Sequence, residues 1–170
     1  MPAPGETAPE FSRMVDAGKL PGAPLAIAAD QGEREALTKR FGLVAIDRLE
    51  AKVEFEPDGA DVIARGRMQA DIVQSCAVTE DDLPITIDEE LLIRFVPEST
   101  PDEEVELEAV DCDEVPFSDR FDIGEAVAES LSLTIDPYAT GPGADEARAK
   151  VGLLDENKAG PFGALKNLKL

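Results

Sequence analysis

Histidine is absent from this chain, and Cys76 and Cys112 are its only cysteines. The commonest general acid-base side chain and metal ligand is therefore missing. Neither cysteine has a second thiol within three residues, which excludes a local zinc knuckle. In "IVQSCAVTED", residues 72–81, Cys76 closes an alternating run and stands before an acidic turn. It reads as a small apolar residue packed at a strand end. No G-x-S-x-G, P-loop or G-x-G-x-x-G occurs. Carboxylates are plentiful, 37 against 16 lysines and arginines, but they fall on alternating outer faces or in one acidic run. A solvated surface explains them more simply than catalysis. The composition predicts a non-enzymatic protein with no catalytic centre, no cofactor and no metal.

The cations are the remaining candidates for binding. Arg34, Lys39 and Arg40 share a helical stretch with Glu33 and Glu35, while Arg65 and Arg67 point outward from a strand, near Glu50 and Glu54 across a hairpin. Lys158, Lys166 and Lys169 stand in a stretch, Asn157 to Leu170, that contains no acid. Phe162, Leu165 and Leu168 recur there at intervals of three, the spacing of a short helix with one apolar stripe. So short a helix is marginal alone in water and is expected to order on a partner. A net charge of −21 opposes nucleic acid and anionic membranes for the molecule as a whole, so any such contact must be local. Aromatics are 5% of residues and Trp is absent, which leaves little for base stacking.

Positioning these residues requires elements that the patterning specifies. Leu25 to Ala29 reads as a short apolar strand. Asp30 and Glu33 have capping-box spacing, Glu35 precedes Lys39 by four, and Gly42 can close the helix, which gives a helix over 31–41. Leu49, Ala51, Val53 and Phe55 alternate with charges, "PDG" turns, and Val62 to Ile72 alternate again, so the two runs form a hairpin. "LPITIDEELLIRFVPE" supplies a third strand, in which Glu89 interrupts the apolar face and predicts a bulge or bend. Nine acids and no base lie between Glu98 and Glu114, a solvated acidic loop. In "RFDIGEAVAESLSLTID", Asp122 and Glu125 repeat the capping spacing, and Ile123, Val127 and Leu131 form one stripe facing the sheet. Residues 139–170 show no sustained period and are expected to be a mobile tail, and 1–10 a flexible N-terminus. The fold class is α+β: one domain over 11–138, an antiparallel β-meander that can curl toward a half-barrel, and two helices on it. No run of eighteen apolar residues exists, and "MPAPGETAPEF" lacks a basic then apolar leader, so a cytoplasmic location with no membrane contact is expected.

The order of "GRMQADIVQSCAVTEDDLPITIDEELLIRFVPE", "DCDEVPF", "FDIGEAVAESLSLTIDPY" and "GPFGALKNLKL" resembles the YceD family, bacterial proteins linked to accumulation of large-subunit ribosomal RNA. "EREALTKRFGL" is similar to the alphaproteobacterial branch. The resemblance implies a factor in ribosome biogenesis whose partner is large-subunit ribosomal RNA or a ribosomal or assembly protein, with no DNA expected. It also implies that many relatives carry Cys-x-x-Cys where this chain has "CAVT", with Thr79 in place of the second cysteine. An acidic module that binds a basic protein without touching RNA is the rival reading, and net charge favours it.

Overall fold

The computed structural model describes residues 9–98 and 113–151. Within them, β1 (Met14–Asp16) and β2 (Leu25–Ala28) precede α1 (Gln31–Phe41). Three long strands follow: β3 (Ala45–Asp58), β4 (Asp61–Ser75) and β5 (Asp82–Pro97). Then come β6 (Asp113–Phe117), β7 (Arg120–Asp122), α2 (Ile123–Thr134) and α3 (Ala144–Lys150).

The five-stranded sheet has the order β2-β3-β4-β5-β6, and its first four strands are antiparallel neighbours, as the alternation predicts. β6 departs from the meander by pairing parallel with the end of β5, Ile93 opposite Asp113 through Pro97 opposite Phe117. The sheet stays open. A second, two-stranded sheet joins β1 to β7, and nothing in the sequence pattern signalled these three-residue strands. α3 likewise lies inside the stretch that local pattern leaves without structure, and its Ala144 is buried.

The inward face of the sheet carries Leu49, Val53, Met68, Ile72, Ile93 and Phe95, all at most 2% exposed. Leu37 of α1 and the Ile123, Val127, Leu131 stripe of α2 join the same cluster at 0% exposure. Phe121 of β7 stacks on Phe95 with ring centroids 4.1 Å apart and meets Phe55 and Phe117 at 5.6 and 5.8 Å. The small sheet thereby lids one end of the core. Gly66 has no alternative, because a Cβ there would lie 2.1 Å from the Lys52 carbonyl oxygen, so β3 and β4 coil together over a bare backbone.

The bulge is not at Glu89. β5 holds one register against β4 from Asp82 to Phe95, and the break in register lies in β3 between Ile46 and Arg48. Glu89, opposite Met68 on the inward face, is exposed. Its carboxylate reaches water through an opening at the rim, so the strand need not bend to release it.

Candidate functional site

α1 forms as its caps dictate. Asp30 accepts from the Glu33 amide, Glu33 accepts from the Asp30 amide, and Gly42 ends the helix at φ 65°. Glu33 also serves a second donor, because the Arg13 guanidinium grips it at 2.6 and 2.9 Å. That hydrogen bond holds the Glu33 carboxyl below the usual carboxylate range and raises Arg13. Arg40 joins Glu10 at 2.9 Å and Glu125 at 2.8 Å, not the acids of its own helix. Glu125 is therefore turned away from its capping role, and the α2 start is capped on one side only. Asp122 there accepts from the amides of Gly124 and Glu125, and also from Ser12 Oγ at 2.5 Å and the Arg13 amide at 2.7 Å. The residues before β1, α1 and the start of α2 are thus tied into one charged junction. Arg34 donates to the Ala29 carbonyl and, with Lys39, lines a shallow groove beside Val44 and Asp47.

On the outward face of the sheet the arginines are also engaged. Arg48 meets Asp71 at 2.8 Å and Glu50 at 3.0 Å, and Arg94 meets Asp61 at 2.8 Å and Asp58 at 3.3 Å. Arg65 lies across from Glu54, but its nearest carboxylate is Glu56, at 3.7 Å. Arg67 lies across from Lys52, so its partner comes from the other side, Asp88 on β5. The Arg67 hydrogen bond, with help from Gln69, lowers the Asp88 carboxyl. Asp71 is lowered by the Thr86 hydroxyl and by Arg48. The expected pairing of Arg65 and Arg67 with Glu50 and Glu54 is thus replaced by a diagonal contact and by a strand that hairpin geometry alone does not supply.

Cys76 is buried, with 2% exposure, but its environment is not simply apolar. Its sulfur accepts from the amides of Gly141 at 3.3 Å, Thr79 at 3.4 Å and Val78 at 3.5 Å. The Gly141 amide first, and then the two turn amides, lower the thiol to about 7. Gly141 reaches the turn because Ala77 donates to the Ala139 carbonyl and Gln74 to the Asp136 carbonyl, which pins the chain after α2 against the end of β4. Among the described residues no group of three His, Cys, Asp or Glu is placed to hold a metal. Cys112 lies outside the described residues, as do most of the acidic loop and the Lys158, Phe162, Leu165, Lys166, Leu168 and Lys169 stretch.

Carboxylates gather where β6 begins. Glu89, Glu90 and Asp113 surround a pocket of about 320 Å³ whose apolar wall is Met68, Leu91 and Leu133, with Ser130 and Thr134 of α2 beside them. Leu133 is 75% exposed. The sequence carried one signal of this place, the acid that breaks the apolar alternation at Glu89.

The sequence from Ala64 to Lys169 matches the model of a protein family described as large ribosomal RNA subunit accumulation protein YceD. The chain belongs to the YceD family. The match spans β4, β5, the Cys76 turn, α2 and α3, and begins after α1, on which the narrower branch resemblance rests. That description ties the YceD fold seen here to accumulation of the large-subunit ribosomal RNA. No curated protein and no solved structure matches the chain. No described helix is long and apolar enough to cross a membrane.

Proposed function

We propose that this YceD protein supports large-subunit ribosomal RNA accumulation without catalysing a reaction, by holding a basic ribosomal or assembly protein. The observation that carries this reading is the state of the cations. Arg13, Arg40, Arg48, Arg65, Arg67, Arg94 and Arg148 each pair with a carboxylate of the same chain. A guanidinium already matched by a carboxylate must give up that partner before it can take a phosphate. The surplus charge left to the surface is negative, and it attracts and orients a basic protein. Arg34 and Lys39, free of ion pairs among the described residues and lining one groove, favour the second reading, direct contact with RNA phosphates.

Crosslinking in cells separates the two. Mass spectrometry and sequencing of the captured material should return a basic protein joined to this chain, with RNA reached only through it. Recovery of large-subunit RNA crosslinked directly to Arg34 or Lys39, with no protein partner, would falsify the protein-holding reading.

A further inference from the structure

Among the described residues, two buried side-chain oxygens have no hydrogen-bond partner, Gln74 Oε1 and Thr79 Oγ1, and they flank Cys76 in the chain. Gln74 is 6% exposed and stands two residues before Cys76, so alternation puts both side chains on one face at the end of β4. Residues 136–141 cover that face. Gln74 Nε2 donates to the Asp136 carbonyl at 2.8 Å and the Gly141 amide donates to the Cys76 sulfur at 3.3 Å, so both head groups lie under the same short segment. Thr79 approaches from the turn. Its amide donates to the sulfur at 3.4 Å, which holds its side chain beside that sulfur. A buried polar atom without a partner is costly, and folded chains keep few of them. Two around one thiol mark a place suited to a further polar group.

The surroundings of the sulfur say which group that is. Three amides point at Sγ, from Val78, Thr79 and Gly141, and such a shell favours negative charge on sulfur. The thiol is accordingly lowered to about 7. An oxygen bonded to the sulfur would serve the two unmatched atoms together. It would accept from the Thr79 hydroxyl, and its own O–H would donate to Gln74 Oε1. Ala77 and Glu80 of the covering turn are exposed, so a molecule as small as hydrogen peroxide has only this turn to pass.

We infer that Cys76 is a modification site for a peroxide-class oxidant, where its sulfur becomes a sulfenic acid held by the Thr79 hydroxyl and the Gln74 side-chain carbonyl. In the step the Cys76 thiolate attacks one oxygen of hydrogen peroxide, an S–O bond forms, the O–O bond breaks and the other oxygen leaves as hydroxide. The transferred hydroxyl keeps its proton. Sulfur gives up two electrons and the peroxide takes them. A small thiol reverses the change, first displacing water to form a mixed disulfide and then exchanging to free Cys76. The inference stands apart from the protein-holding reading, which makes no use of Cys76.

The test uses the full chain carrying Cys112→Ser, which leaves Cys76 as its only thiol. Hydrogen peroxide is the probe, dimedone traps the sulfenic acid, and intact mass with peptide mapping reads the product. One oxygen should be gained per chain, at Cys76, and dithiothreitol should remove it. The rate should rise as pH passes upward through about 7, where the thiolate forms. Thr79→Val, which keeps the side-chain shape and loses the hydroxyl, should shorten the lifetime of the sulfenic acid about fivefold, as for the loss of one hydrogen bond. Thr79→Ser should restore it, and the melting temperatures should stay together. A second comparison needs no change at position 79: the sulfenic acid should outlive that of the same chain unfolded in urea by about tenfold, as for two hydrogen bonds. No oxidation of the folded chain by peroxide that oxidises the unfolded one would overturn the inference. Equal lifetimes in the folded and unfolded chains, or in the Thr79→Val and parent chains, would do the same and assign the unmatched oxygens to a buried water.

Discussion

The junction around α1 and the acidic rim of β5 use the same side-chain types to opposite ends. At the junction the carboxylates are occupied by donors. Asp122 takes four of them, Glu33 serves both a cap and Arg13, and Glu10 and Glu125 share Arg40. At the rim Glu89, Glu90 and Asp113 line a pocket, and the nearest strand neighbour of Glu90 is Arg67, which is itself held by Asp88. Charge at the first place joins segments far apart in sequence. At the second it stays largely in water, where like charges on one rim oppose close approach of another acidic surface. In an acidic protein, a carboxylate's role is decided by whether a donor has been brought to it.

The largest effect is expected where one side chain serves most donors. Asp122→Ala removes the acceptor of the Ser12 hydroxyl, the Arg13 amide and two α2 amides. It should lower stability by about 2–3 kcal/mol, the loss of a helix cap plus a part-buried acceptor, measured by urea unfolding. A loss below about 0.5 kcal/mol would mean that the junction does not hold the segment before β1.

A smaller effect carries a pH signature. Arg13→Gln should cost about 1 kcal/mol near neutral pH, as a bidentate, half-buried pair does. The sign follows from Glu33, whose carboxyl is held low by Arg13 in the folded chain. Its stabilisation is fully present above the ordinary carboxylate range and is lost as pH falls through the lowered folded value. The stability gap between native and Arg13→Gln protein should therefore narrow as the solution is acidified below that range. A gap independent of pH would assign the cost to lost packing of Arg13 over Phe11, 4.7 Å from its ring centroid.

The smallest effect belongs to the exposed sheet face. Arg65→Glu with Arg67→Glu breaks contacts to Glu56 and Asp88, in which the arginine side chains are 61% and 56% exposed. Stability should fall less than for either change above, since exposed pairs are screened by water and salt, in thermal or urea unfolding. If ribosomal RNA accumulation collapses in cells while the melting temperature holds, these arginines act in binding, and the contrast between paired cations and open carboxylates fails on this face.

Much of the architecture was legible in the chain itself. Period-two alternation and "PDG" define the β3–β4 hairpin, Asp30, Glu33 and Gly42 bound α1, and the Ile123, Val127, Leu131 stripe fixes the buried side of α2. Each of these signals acts within a few residues, where backbone sterics and side-chain periodicity suffice. The order of segments was likewise enough to suggest the YceD family, which the match over Ala64–Lys169 supports.

Other features depend on partners far away in the chain, and only the tertiary structure decided them. Arg40 reaches Glu10 and Glu125, not Glu33 or Glu35, because α1 packs beside the start of α2. Arg67 takes Asp88 because β5 flanks β4 on the side opposite Lys52. Glu89, an acid at an inward-facing position, looked like a bulge, since local pattern cannot reveal that its side chain is exposed at the rim while β5 keeps one register against β4. The Gly141 amide meets the Cys76 sulfur through a loop closure of 65 residues. Sequence by itself settled what each segment prefers to be. Which donor each acceptor meets was set by the packing of segments that carry no local record of one another.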